Sequence, residues 1–126
     1  MNIQGWSLYK GHWYRLFYEK LQWPDAEQYC VEYGGHLVSI LSEEENQYVD
    51  KLSKANTIWI GLNKRNSPIN VYKWSDHSPV HYLNWYSTQP NEPLAHCVMM
   101  QTHSSWFDQS CEGKEPLNFV CKLKVP

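Results

Sequence analysis

No stretch of this chain approaches the roughly 18 consecutive apolar residues that a membrane-spanning helix needs, so no transmembrane segment is expected. An excess of one charge is missing too. The formal net charge is −2, and the lysines and arginines do not cluster. That balance gives no electrostatic reason to bind nucleic acid or anionic lipid. There is no Cys-x-x-Cys pair and no His-Glu-x-x-His motif, the two common short signatures of zinc. His77 and His81 stand four apart, but in a proline-containing stretch rather than on a helix, so they read as solvated or hydrogen-bonded side chains. Asp76, Asp108 and the scattered serines and histidines carry no nucleophile elbow, so an enzyme is not expected. Met1-Asn2-Ile3-Gln4 has neither a charged region nor an apolar run, so these residues do not read as a signal peptide. No Asn-x-Ser/Thr site, internal repeat or linker occurs, and residues 1–126 read as a single domain.

What is present is cysteine and aromatic surface. Cys30, Cys97, Cys111 and Cys121 make an even set in a chain of 126 residues. This suggests two bridges formed in an oxidising compartment, and a secreted chain or the extracellular part of a receptor. Four cysteines allow three pairings, and their spacing selects none. Seven tryptophans and nine tyrosines give a high aromatic content, which serves core packing and ligand contact equally well.

The pattern along the chain is α+β. Residues 6–18 are aromatic around Lys10-Gly11 and predict a β-hairpin. Trp23-Pro24-Asp25-Ala26-Glu27 opens a helix, with Pro24 in its first turn and Gly34-Gly35 ending it. Ser42 followed by Glu45 makes a capping box for a second helix running to about Lys54, with Tyr48, Val49 and Leu52 on its apolar stripe. Glu43-Glu44-Glu45 reads as the charge cluster that suits a helix N-terminus. Trp59-Ile60-Gly61-Leu62 predicts a buried strand. Asn63 to Leu94 then reads as a long irregular excursion, with only residues 71–74 resembling a strand. Strands return at 97–101, 106–108 and 118–122. Helices first and short strands later indicate a packed α+β domain.

At this point the ordered set of residues resembles the C-type lectin-like domain family. The resemblance is carried by Trp59-Ile60-Gly61-Leu62, by Trp23, Ala26 and Cys30 before Gly35-His36-Leu37-Val38-Ser39-Ile40, and by Trp74-Ser75-Asp76 with Asn84-Trp85. Gln89-Pro90-Asn91, Cys97-Val98, Trp106, Asp108, Cys111 and Phe119-Val120-Cys121 complete it. It spans essentially the whole chain. It implies two helices flanking small antiparallel sheets with a long irregular ligand loop. It also implies the bridges Cys30–Cys121 and Cys97–Cys111, each contributing at most about 3–5 kcal/mol through loop entropy. A further N-terminal cysteine pair common in the family is absent, its places being taken by Asn2 and Trp13. The Gln89–Pro90 peptide is expected to be cis.

The same resemblance implies a calcium ion in the loop, shared with two sugar hydroxyls. Calcium wants six to eight oxygens, several of them carboxylates. Here Gln89-Pro90-Asn91 supplies two neutral amides, Ala95 stands where an acid is expected, and Phe107 replaces an asparagine between Trp106 and Asp108. Lys64, Arg65 and Pro68 occupy the stretch that would hold a second ion. Gln89, Asn91 and Asp108 therefore read as a weak or vestigial calcium site. Two functions follow. One is carbohydrate recognition through Gln89, Asn91, Glu92 and Asp108, with Trp106 and Phe107 stacking on a sugar, and with calcium dependence weakened or lost. The other is a calcium-independent protein-binding domain using the same surface with Phe107 as an exposed anchor.

Overall fold

The computed structural model describes residues 4–113 and 115–126. The absence of a leader read at Met1 to Gln4 and of a cysteine at Asn2 falls partly or wholly on residues outside that set. The chain opens with β1 (Ser7–Tyr9) and β2 (His12–Leu21), an antiparallel hairpin. Its turn is Lys10-Gly11, both at positive φ, the conformation that matches the twist of the flanking strands.

Helix α1 (Trp23–Glu32) starts with Pro24 in its first turn and ends at Gly34, whose φ of 99° only glycine adopts freely. The Gly35 amide donates to the Cys30 carbonyl and the Gly34 amide to that of Val31, which caps the helix in a Schellman motif. The short β3 (His36–Leu37) follows, then α2 (Glu43–Leu52). The Ser42 side chain accepts from the Glu45 amide at 3.0 Å, as the capping box predicts. The Glu45 carboxylate reaches one residue further back than the motif requires, accepting from the Leu41 amide at 2.9 Å. The helix stops short of Lys54, because Lys54 and Ala55 both turn to positive φ.

Strand β4 (Ile58–Asn63) is buried along its whole length. Gly61 is obligatory there: an added Cβ would lie 2.8 Å from the Leu37 carbonyl. Of the strand expected over residues 71–74 only β5 (Lys73–Trp74) forms. β6 (Cys97–Met100), a 3-10 turn (Thr102–Ser104), β7 (Trp106–Gln109) and β8 (Leu117–Lys124) complete the chain. The small sheets are joined into one, in the order β1-β2-β8-β4-β6-β7. The join is a short parallel pairing of β4 with β8 at Ile58↔Asn118 and Trp59↔Phe119, the single departure from antiparallel pairing between strands.

Both expected bridges are present, Cys30–Cys121 and Cys97–Cys111. The first ties α1 to β8 and the second closes the base of the loop after β7. The long excursion is docked by its aromatic residues. Trp106 of β7 is fully buried, edge-on to Trp74, Tyr82 and Trp85, and its backbone exchanges hydrogen bonds with Asn84 and Tyr86. One polar cluster sits inside this core. The Lys122 ammonium donates to Glu45 Oε2 at 2.7 Å and to both oxygens of Ser39 at 3.1 Å. The Tyr14 hydroxyl donates to the same carboxylate oxygen, and burial, reinforced by Glu45, holds this phenol far above its ordinary pKa.

Candidate functional site

The long loop returns to the sheet at Gln89-Pro90-Asn91-Glu92, beside β7. The Gln89–Pro90 peptide is cis. Asp108 projects from β7 towards this segment and is 8% exposed. Its Oδ2 accepts from two successive backbone amides, Asn91 at 3.1 Å and Glu92 at 2.8 Å. The contact is reciprocated: the Asp108 amide donates to Gln89 Oε1 at 3.2 Å. A single carboxylate thus fastens the loop tip to the sheet, with charge-assisted bonds stronger than neutral ones.

The structure brings Gln89, Asn91, Glu92 and Asp108 together, as expected. Asn91 and Glu92 are exposed, whereas Asp108 and Gln89 face inwards to the loop backbone. Trp106 is a correction. It is 0% exposed and its indole N–H donates to Asn46 Oδ1 at 2.9 Å, so it has no face to offer a ligand. Phe107 is half-buried and stacked on Tyr86 with ring centres 5.0 Å apart, so it is a supported side chain rather than a free anchor. Tyr86 is the more exposed partner of that pair.

A cleft of about 390 Å³ lies beside the loop tip, lined by Lys64, Asn70, Tyr72, residues 90–93 and Asp108. Lys64 and Tyr72 are among the lining residues that were not anticipated as site residues. Lys64 is only 6% exposed, and its ammonium sits over the Tyr72 ring, 5.4 Å from the centroid. The Tyr72 hydroxyl is buried with no hydrogen-bond partner among the described residues. Burial, and then the Asp108 carboxylate nearby, push this phenol up to about 12. In the sequence Lys64 registers as the loss of an acid. The signal for what it gains is its place directly after a strand buried throughout, where a lysine must desolvate.

This donor set does not suit calcium. Asp108 Oδ2 and Gln89 Oε1 already accept backbone N–H groups, Glu92 and Asn91 add at most one carboxylate and one amide, and an ammonium shares the cleft. Among the described residues no three His, Cys, Asp or Glu side chains converge in a way that could hold a metal.

Residues 19–123 match the family model described as the lectin C-type domain. This chain belongs to the C-type lectin family. Snaclec 3 from Sistrurus catenatus edwardsii is 40% identical over 127 aligned residues, covering 94% of this chain and 82% of that protein. Among solved structures, the cow C-type carbohydrate-recognition domain of CD23, determined with a GlcNAc2Man3 oligosaccharide, superimposes with a TM-score of 0.89 at 30% identity. That match covers 98% of this chain and 95% of the other. A calcium-independent type II antifreeze protein superimposes with a TM-score of 0.88 at 29% identity, covering 98% and 94%. A carbohydrate-recognition domain and an antifreeze protein thus share the frame that this lectin-like domain keeps.

Proposed function

We propose that this C-type lectin-like domain is a non-catalytic, calcium-independent recognition module that binds a protein partner through its long-loop face. The observation that carries the reading is the commitment of Asp108 to the Asn91 and Glu92 amides. With its Oδ2 holding the loop, this carboxylate has only Oδ1 left for an ion, and the loop tip is fastened to the sheet by the protein's own groups. Beside the exposed Asn91 and Glu92, the face offers apolar side chains to solvent. Ile69 is 75% exposed and Leu94 82%, with Val71 also exposed. Ile69 and Val71 bracket the cleft residue Asn70 in the chain, and Leu94 follows the cleft residue Pro93. Clustered exposed apolar side chains of this size mark interaction surfaces. The two disulfides support an extracellular setting, as a secreted protein or a receptor ectodomain.

A glycan is the second reading, favoured by the exposed Asn91 amide and Glu92 carboxylate, which suit hydroxyl groups. One experiment separates the two. A fluorescent multimer of the domain is used to stain cells in calcium and in chelator, after protease or glycosidase treatment, beside a glycan array. Staining that survives chelator and glycosidases, disappears with protease, and falls at least about tenfold for Leu94→Asp is the expected result. Array binding that appears with calcium and vanishes in chelator would overturn it.

A further inference from the structure

We infer that the cleft between Lys64, Tyr72 and Asn91 is a socket for an acidic side chain of the protein partner, whose carboxylate is received by the Lys64 ammonium and the Tyr72 hydroxyl. This rests on the protein-partner reading above and adds the chemistry of the anchor. A lysine whose stem is buried either pairs its ammonium or keeps it at the solvent, since an unpaired, dehydrated charge forfeits its hydration. Lys64 is 6% exposed, yet among the described residues no carboxylate lies within ion-pairing distance of its ammonium. It has only the face of Tyr72, 5.4 Å away. The Tyr72 hydroxyl is likewise buried and unpartnered. It stays protonated at neutral pH, so it is a donor. An ammonium without a carboxylate and a buried, unpartnered hydroxyl therefore line one cleft, together with the side chains of Asn70 and Asn91.

The chemistry of the other lining groups is compatible. Asp108 carries a negative charge, but its Oδ2 accepts two backbone N–H groups, which offset it locally. Glu92 is exposed, with one weak contact from its Oε1 to the Leu94 amide at 3.4 Å, so it can turn away. The exposed Ile69, Val71 and Leu94 are chain neighbours of cleft residues, and a partner covering them would exclude water around the seated carboxylate, where an ion pair is strongest. An ammonium with a hydroxyl donor beside it matches a carboxylate. An uncharged amide of the same shape would gain one of the two contacts and lose the charge.

The test is an amide-resolved NMR titration of the whole chain with two small probes, N-acetyl-glutamate methylamide and its neutral glutamine counterpart. The glutamate probe is expected to shift the Lys64, Asn70 and Asn91 signals saturably at millimolar concentration, with the glutamine probe about tenfold weaker or more. Lys64→Met should abolish the discrimination, Tyr72→Phe should weaken the glutamate probe a few-fold, and Glu92→Gln should strengthen it. If Lys64→Met does not fold, the other two variants decide by the same titration. Equal response to both probes, or discrimination that survives loss of Lys64, overturns the inference. So does saturation of the same signals by methyl mannoside alone, which would assign the cleft to a glycan. The two readings fail separately: undiminished cell staining by Leu94→Asp removes the docking face, whereas the probe titration addresses only the socket.

Discussion

Two lysines in this domain are equally buried, at 6% exposure each, and are surrounded in opposite ways. Lys122, in the packed half of the molecule, has three oxygen acceptors within 3.1 Å, one of them the Glu45 carboxylate. Lys64, at the base of the long loop, has an aromatic face and no carboxylate. Folding has satisfied the first and left the second. The contrast is between these two cations: the packed half also holds unpartnered polar atoms, such as Asn118 Oδ1 on β8, but its buried ammonium is paired, whereas that of the loop half has no carboxylate among the described residues. A partner can supply what folding did not. Burial alone would have ranked the two residues together; it is the inventory of partners that separates them.

The largest break in that comparison should come at Lys122. Lys122→Met leaves Glu45 buried against Tyr14 without its cation, and should cost about 3–5 kcal/mol in urea unfolding. Adding Glu45→Gln should recover part of the loss, because the orphaned charge goes with it. If Lys122→Met is neutral, the network is not holding the core and the contrast between the two halves fails. Next comes Asp108→Ala, which strands the Asn91 and Glu92 amides and frees the loop tip. About 1–3 kcal/mol is expected. The effect should be local: hydrogen exchange at Asn91 and Glu92 should accelerate while β4 and β8 keep their protection. Acceleration throughout the sheet would mean that the loop and the core are one cooperative unit.

Much of the packed half was legible in the sequence because its rules are local. The proline and glycines around α1, the Ser42 cap of α2 and the apolar run of β4 each act within a few residues, and each formed where expected. The bridges came through family resemblance, since spacing left three pairings open. The loop half was less legible. Gln89, Asn91, Glu92 and Asp108 lie together, but the hydrogen bonds of Gln89 and Asp108 run inwards, which depends on how the loop docks across the sheet. Trp106 looked like a ligand platform because tryptophan serves core and site alike, and its contacts to Trp74, Tyr82 and Trp85 are all non-local. Lys122 drew no attention because its partner Glu45 lies on another element, although a lysine between Cys121 and Leu123 on a buried strand calls for one.

A smaller effect probes the seam between the halves. The Tyr82 hydroxyl of the loop donates to Glu43 at the start of α2. That bond, with a second from Gln47, lowers the Glu43 pKa from its ordinary value of 4.5. A depressed carboxylate contributes stability above its unfolded pKa and loses it as pH falls through the folded one. Tyr82→Phe should thus lower Tm by no more than a few degrees at pH 7, and the difference from wild type should shrink below about pH 4. A difference that is constant with pH would place the effect in packing around Trp106 rather than in the hydrogen bond.

The smallest expected effect on stability is the most telling. Lys64→Met removes a buried charge that folding has not paired, and replaces it with a flexible apolar chain that can still cover Tyr72. No bond to a carboxylate is lost. Urea unfolding should show no loss beyond the roughly 0.5 kcal/mol scatter of neutral substitutions, and a modest gain fits equally well. The same change at Lys122 should be severe. Equal exposure and equal chemistry of substitution leave the partners as the only difference, so the contrast measures what the partners contribute. A Lys64→Met loss as large as that of Lys122→Met would show that the loop lysine is structural after all, and that its ammonium is already satisfied within the folded chain.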